Sequence, residues 1–219
     1  MSLRHWPASR LLIAIALLIG LALSLRLAAT EQLIAEAESR AQDVRSLRGA
    51  EPDDVAFVEE HDSRRLPPRA LLAVGSIRST MAVNEKKPAA RRALIAEGRR
   101  DVDLALARRP GWGSAWVMRA YLDSLDPARG DATRAAFVRS YRAAPFLRSE
   151  GLWRVSHAVA DWHALDPAIR VAALEEAQWL ANRGYEDQDR VRAVLGGSAA
   201  AVAFQLRFRR EWKGWTPGG

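Results

Sequence analysis

PGWGSAWVMRAYLDSLDPARGDATRAAFVRSYRAAP, residues 110–145, begins and ends on prolines that stand 35 positions apart. Counting back from Pro145 meets Ser140, Phe137 and Thr133; the same steps back from Pro110 meet Ala105, Val102 and Gly98. Residues at these spacings share one face of a helix, because each step turns about 100°. A recurrence near 34 residues marks stacked helical hairpins, in which each pair buries its apolar face only against its neighbours. Leu125-Asp126-Pro127 and Leu165-Asp166-Pro167 recur as well, with aspartate suited to a cap and proline to the first turn of a new helix. Extending the pattern gives hairpins at 67–109, 112–144 and 149–183, with a last helical segment at 186–210 as a cap.

The composition agrees with an all-α class. Ala, Leu, Arg and Glu dominate, strand-forming signals are sparse, and 49% of the 219 residues are hydrophobic. There is no cysteine, which excludes a disulfide framework, a thiolate metal site and a thiol nucleophile. The formal charge of +7, carried mostly by arginine, favours anionic surfaces such as phospholipid headgroups, acidic polymers or nucleic acid. An arginine-heavy, alanine-rich chain follows equally from a GC-rich genome.

Ahead of the repeats, residues 11–25 read LLIAIALLIGLALSL without a charge, after a start containing Arg4, Trp6 and Arg10. If Arg26 snorkels to the interface, 11–29 approaches the roughly 20 residues that cross a bilayer. A cleaved signal peptide is the rival, but Leu27 stands where cleavage after Ala29 wants a small residue. An uncleaved signal-anchor is therefore expected. The short basic tail points to an inner-membrane protein with its body in the periplasm. Residues 31–48 extend the span as a stalk helix without a wide apolar stripe, and GAEPDD breaks it. Residues 49–66 read as a loop or short irregular segment. The expected divisions are a basic tail at 1–10, a transmembrane helix at 11–29, a stalk and linker at 30–66, a helical domain at 67–210 and a flexible tail at 211–219.

Thr133, Phe137, Ser140 and Pro145 occupy the small, aromatic, small and proline positions of a tetratricopeptide second helix, and Trp116 matches the first helix's tryptophan. Val102 stands where an aromatic is usual, Arg119-Ala120 replace the usual Leu-Gly, and the LDP corners lengthen the turns. Residues 67–183 thus resemble a degenerate tetratricopeptide array. With the membrane helix, the stretches PGWGSAWVMRAYLDSL, RSYRAAPF and WHALDPAIR resemble the VpsP-like family. These are membrane-anchored tetratricopeptide-like proteins encoded with bacterial exopolysaccharide machinery. The resemblance covers about half the chain, implies that pathway, and carries over no catalytic residue.

HAVADWHALDP, residues 157–167, is the stretch that most resembles a chemical site. On one continuous helix His157 and Asp161 are neighbours, whereas His163 lies about 240° around from His157 and faces elsewhere. Asp166 is better employed as the next cap, and nothing local marks a nucleophile. In GWGSAW, Gly111 and Gly113 precede a helix as in a phosphate loop, but the third glycine, the preceding strand and the lysine are missing. They fit a tight turn, with Ser114 near the helix start.

Trp116, Trp153, Trp162 and Trp179 are expected at seams between helices rather than on a sugar-stacking platform. Trp212 and Trp215, among Arg207, Arg209, Arg210 and Lys213, suit a membrane interface, an anionic polymer or single-stranded nucleic acid, or a solvated end. The pairs Arg91-Arg92, Arg99-Arg100 and Arg108-Arg109 read as a wet helix face.

The expectation is a non-enzymatic scaffold with no catalytic residue, metal or cofactor. Its expected partners are the membrane through one span, proteins of a polysaccharide assembly complex, and anionic glycan or lipid headgroups; nucleic acid is not expected. An enzyme acting on glycan or lipid is the second reading. A cytoplasm-facing nucleic-acid-binding protein is the third.

Overall fold

The computed structural model describes residues 8–208, with side chains for 12–46 and 49–208. Residues 1–7 of the expected tail at 1–10, with Arg4 and Trp6, and the Arg10 side chain lie outside those residues, as do Arg209, Arg210, Trp212, Lys213 and Trp215; residues 8–10 of that tail instead begin the first helix. The described α-helices, in chain order, are α1 Ala8–Asp43, α2 Pro52–Glu60, α3 Pro68–Asn84, α4 Pro88–Arg108, α5 Gly113–Ser124, α6 Gly130–Ala143, α7 Gly151–Ala160, α8 Pro167–Ala181, α9 Tyr185–Leu195 and α10 Ala199–Phe208. No strand occurs among the described residues, so the chain there is all-α.

α1 runs unbroken for 36 residues, about 54 Å at 1.5 Å per residue. Its apolar side chains from Leu12 to Leu27 are exposed, and it is the one described helix long and apolar enough to cross a membrane. Beyond the span α1 becomes part of the fold. Ile34, Ala37, Ala41 and Val44, spaced three and four apart, are buried against Ala70, Leu71, Val74 and Ile77 of α3. The stripe is narrow, but its small residues let the helices approach closely. Arg69 bonds Glu38 at 2.9 and 2.7 Å and Glu31 at 3.3 Å, while Asn84 at the far end of α3 lies beside Gly49. α3 therefore runs parallel to α1.

The segment expected to be irregular contains α2. Glu51 and Asp54 bond reciprocally as a capping box around Pro52, with Glu51 N–H donating to Asp54 Oδ2 at 2.9 Å. That cap starts a short helix whose Phe57 and Val58 join the core beneath α1 and α3.

α3/α4, α5/α6 and α7/α8 pack as successive helix pairs, and their cores join end to end. Val102 and Leu106 meet Ala115 and Leu122 across the first seam. Phe137 and Tyr141 meet Ala158, Ile169 and Ala173 across the second. The positions that recur before Pro110 and Pro145 are all buried: Gly98, Val102 and Ala105 in α4, Thr133, Phe137 and Ser140 in α6. At the two LDP corners, Asp126 accepts from Ala128 N–H at 3.2 Å and opens a 3-10 turn, while Asp166 caps α8 by position only. The last segment, expected as one helix, divides into α9 and α10 at Gly196-Gly197. Gly197 has φ +69°, a left-handed conformation that only glycine takes without strain.

A buried ion pair closes the turn after α6. Arg154 and Glu176 are both fully buried. Arg154 bonds Glu176 and donates to the carbonyls of Ser140 (3.2 Å), which also accepts from Ala144 N–H, and of Ala144 (2.8 Å) and Pro145 (3.2 Å) just past the end of α6. Glu176 also accepts from the Tyr141 hydroxyl and Leu147 N–H, each at 2.9 Å. Burial pushes the Glu176 carboxyl above its ordinary value, and these donors pull it back down.

Candidate functional site

The first helices of the three pairs, α3, α5 and the start of α7, each present one side to a shared concavity, and α1 closes it as a further wall. The resulting cleft measures about 510 Å³. Leu72, Ala73, Val117 and Met118 supply apolar surface, and Trp112, Tyr121 and Trp153 supply rings. Tyr121 meets Trp153 edge-on at 5.9 Å. Burial raises the Tyr121 hydroxyl, keeping it a neutral donor.

Hydroxyls from α3 line the cleft beside these rings. Ser79 Oγ and Thr80 Oγ1 donate to the Ser76 carbonyl at 2.7 and 3.3 Å, while the buried Ser76 Oγ has no hydrogen-bond partner. Ser114 and Ser149 add two more. Charged lining comes from the Arg69–Glu38 pair, Arg45 and Glu150. Rings, hydroxyls and charges of both signs suit binding of an extended polar segment.

Sequence reasoning did not find this cleft. Trp112 was placed in a turn motif and Trp153 at a seam; both line it. The available signal was in α3, where the hydroxyls of Ser76, Ser79 and Thr80 share one face of the helix.

The histidine stretch is arranged differently from a continuous helix. α7 ends at Ala160, Asp161 follows as its cap, and His163 sits exposed in a 3-10 turn. His157 stacks on Trp153 with centroids 5.1 Å apart and meets Phe137 edge-on at 4.7 Å. Burial pushes its imidazole below the usual value, with Asp161 acting the other way, and its Nε2 has no hydrogen-bond partner. Asp161 faces Arg134 at 4.0 Å. Among the described residues no group of three or more His, Asp or Glu is placed to hold a metal ion.

In GWGSAW, Gly113 is the first residue of α5, and a Cβ there would lie 2.6 Å from Ala144 Cβ. Glycine at this position allows the end of α6 to press against the start of α5. Trp162 is buried and Trp116 and Trp179 are half-buried; Trp116 Nε1 donates to the Pro110 carbonyl at 2.8 Å.

The basic face of α4 is only partly wet. Arg99 reaches buried Asp123 at 2.9 Å and the Leu122 carbonyl at 3.2 Å, and Asp123 also takes Arg119 at 2.9 Å and Arg129 at 2.7 Å. Desolvation lowers Arg99 from its ordinary value. Arg108 donates to the carbonyls of Arg64 and Leu66, and Arg109 covers the Trp112 ring at 4.6 Å. Arg91, Arg92 and Arg100 are exposed. The reading of all three pairs as solvated missed the buried carboxylate and free carbonyls that recruit Arg99 and Arg108.

No family model, no curated protein and no solved structure matches the chain. Its class rests on its own geometry: among the described residues, an all-helical body with a concave cleft and one helix of membrane-crossing length.

Proposed function

We propose that the chain is a membrane-anchored, non-enzymatic scaffold, an accessory subunit of bacterial exopolysaccharide biosynthesis or export. On this reading α1 holds it in the inner membrane, the body faces the periplasm, and the helix pairs form a degenerate tetratricopeptide-like array. The pathway comes from the VpsP-like resemblance. The orientation comes from the short basic start. The observation that carries the binding role is the cleft walled by α1, α3, α5 and α7. Its α1 wall runs from Glu38 to Gln42. Counted from Ala29 along the helix, that is about 14 to 20 Å above the span. A protein segment or glycan emerging from a membrane complex would meet it there.

Photo-crosslinking residues placed at Thr80 and Ser149 in intact cells test the reading, with Ala128 on an outer corner as control. Discrete adducts with an assembly protein or polymer are expected from the cleft positions alone. Thr80→Arg and Ser149→Arg should abolish polymer production while protein folding and membrane level hold. Full production from both variants refutes the cleft as the working surface.

A further inference from the structure

Contacts between the helix pairs trace one edge of the array. Arg108 at the end of α4 holds the carbonyls of Arg64 and Leu66 ahead of α3. Gly113 at the start of α5 abuts Ala144 after α6. Leu147 N–H donates to Glu176 of α8 at 2.9 Å, and Phe146 packs on Trp179 with ring centroids 5.5 Å apart. The connections 61–67, 109–112, 144–150 and 182–184 therefore share an edge.

Because α3 runs parallel to α1, this is the edge at the base of α1. Ile34 is the first fully packed α1 residue, five positions past Ala29, where the apolar run ends. That is a rise of about 7 Å. The headgroup layer on each side of a bilayer is about 5–7 Å deep. With α1 in a bilayer up to Ala29, the edge would stand at the height of the headgroups.

The chemistry of the edge matches. Its centre carries Arg64, Arg65, Arg108, Arg109, Arg142 and Arg148, all exposed, with Phe146 43% exposed among them. Carboxylates lie mainly at the flanks, Glu59 and Glu60 at the end of α2, Asp62 facing Arg65 at 3.8 Å, and Glu186 and Asp187 in α9, with Glu150 between and Glu31 held by Arg69 beside α1. The opposite edge, at 84–88, 125–131 and 161–166, mixes Lys86, Lys87 and Arg129 with Glu85 and four aspartates. Guanidinium groups bind phosphate oxygens in paired hydrogen bonds, and a ring such as Phe146 suits the boundary beneath them.

We infer that this arginine edge rests on the anionic headgroups of the bilayer, fixing the orientation of the cleft over the membrane. The inference rests on α1 being a membrane span. The chain has no cysteine, so a single introduced cysteine reports without background. Full-length Ser149→Cys and Ala128→Cys proteins, fluorophore-labelled, would be reconstituted in phosphatidylcholine vesicles with or without phosphatidylglycerol, each carrying a headgroup-attached quencher.

With phosphatidylglycerol present, quenching at position 149 should exceed that at 128 several-fold. It should fall toward the level at 128 when Arg64, Arg65 and Arg148 are all changed to Glu. Equal quenching at both positions, no dependence on phosphatidylglycerol, or no effect of the charge reversals overturns the docking. Flotation after alkaline carbonate separates the two claims. Protein that fails to float refutes the span; protein that floats with position 149 unquenched refutes the docking alone.

Discussion

Phe137 is wholly buried, with the rings of His157, Tyr141 and Trp153 at 4.7, 5.3 and 6.4 Å. Removing its ring leaves a cavity that three neighbouring rings cannot readily fill. Phe137→Ala should lower the unfolding free energy by about 3–5 kcal/mol in chemical denaturation. An unchanged midpoint would contradict the packing. His157 carries a pH signature. Its folded value lies below the unfolded one near 6.5, so the unfolded chain takes up the proton first. The contribution is whole above that value and is lost as the pH falls below it. The thermal midpoint should drop between about pH 7 and 5, and drop less in a folded His157→Gln variant. Arg154→Met should cost about 3–5 kcal/mol, since it strands a buried Glu176. Adding Glu176→Leu should recover only part, because the Ala144 and Pro145 carbonyls lose Arg154 while the Tyr141 hydroxyl and Leu147 N–H lose Glu176; a double-mutant cycle in denaturant measures the remainder. Phe137 was legible from its spacing to Pro145. Arg154 was not, because its partners lie as far away as position 176 and only packing brings them together.

At the scale of elements, the long and periodic helices were readable and the short ones were not. α4 and α6 announce themselves by matching faces ahead of Pro110 and Pro145. α2 has nine residues and too little periodicity to stand out, and its start depends on a reciprocal bond between Glu51 and Asp54. Asp54 also faces Arg40 of α1 at 3.5 Å. Asp54→Ala should therefore cost about 1 kcal/mol, a usual value for a lost cap. Hydrogen exchange should show the loss concentrated in the amides of 53–58; uniform acceleration across α3 and α4 would place the role of Asp54 elsewhere. The stalk shows a similar limit. Ile34, Ala37, Ala41 and Val44 make a stripe too narrow to stand out, yet it is wide enough for a close-packed seam with α3.

For the whole molecule, one unbroken helix joins an apolar, exposed half to a half packed into the fold. If that helix is retained as an anchor, intact-mass analysis of membrane-extracted protein should show the amino-terminal span present. A mature start near Thr30 would sink the anchor reading. The sequence by itself determined the helical class, the matching buried faces ahead of Pro110 and Pro145 that hold Val102 and Phe137, and a helix of membrane-crossing length. These follow from local propensity and from spacings within one helix, which act over a few residues. The cleft, the arginine edge and the Arg154–Glu176 pair were decided only by tertiary structure. Each gathers side chains from several helices, and their convergence depends on how those helices pack, which no single stretch of the chain specifies.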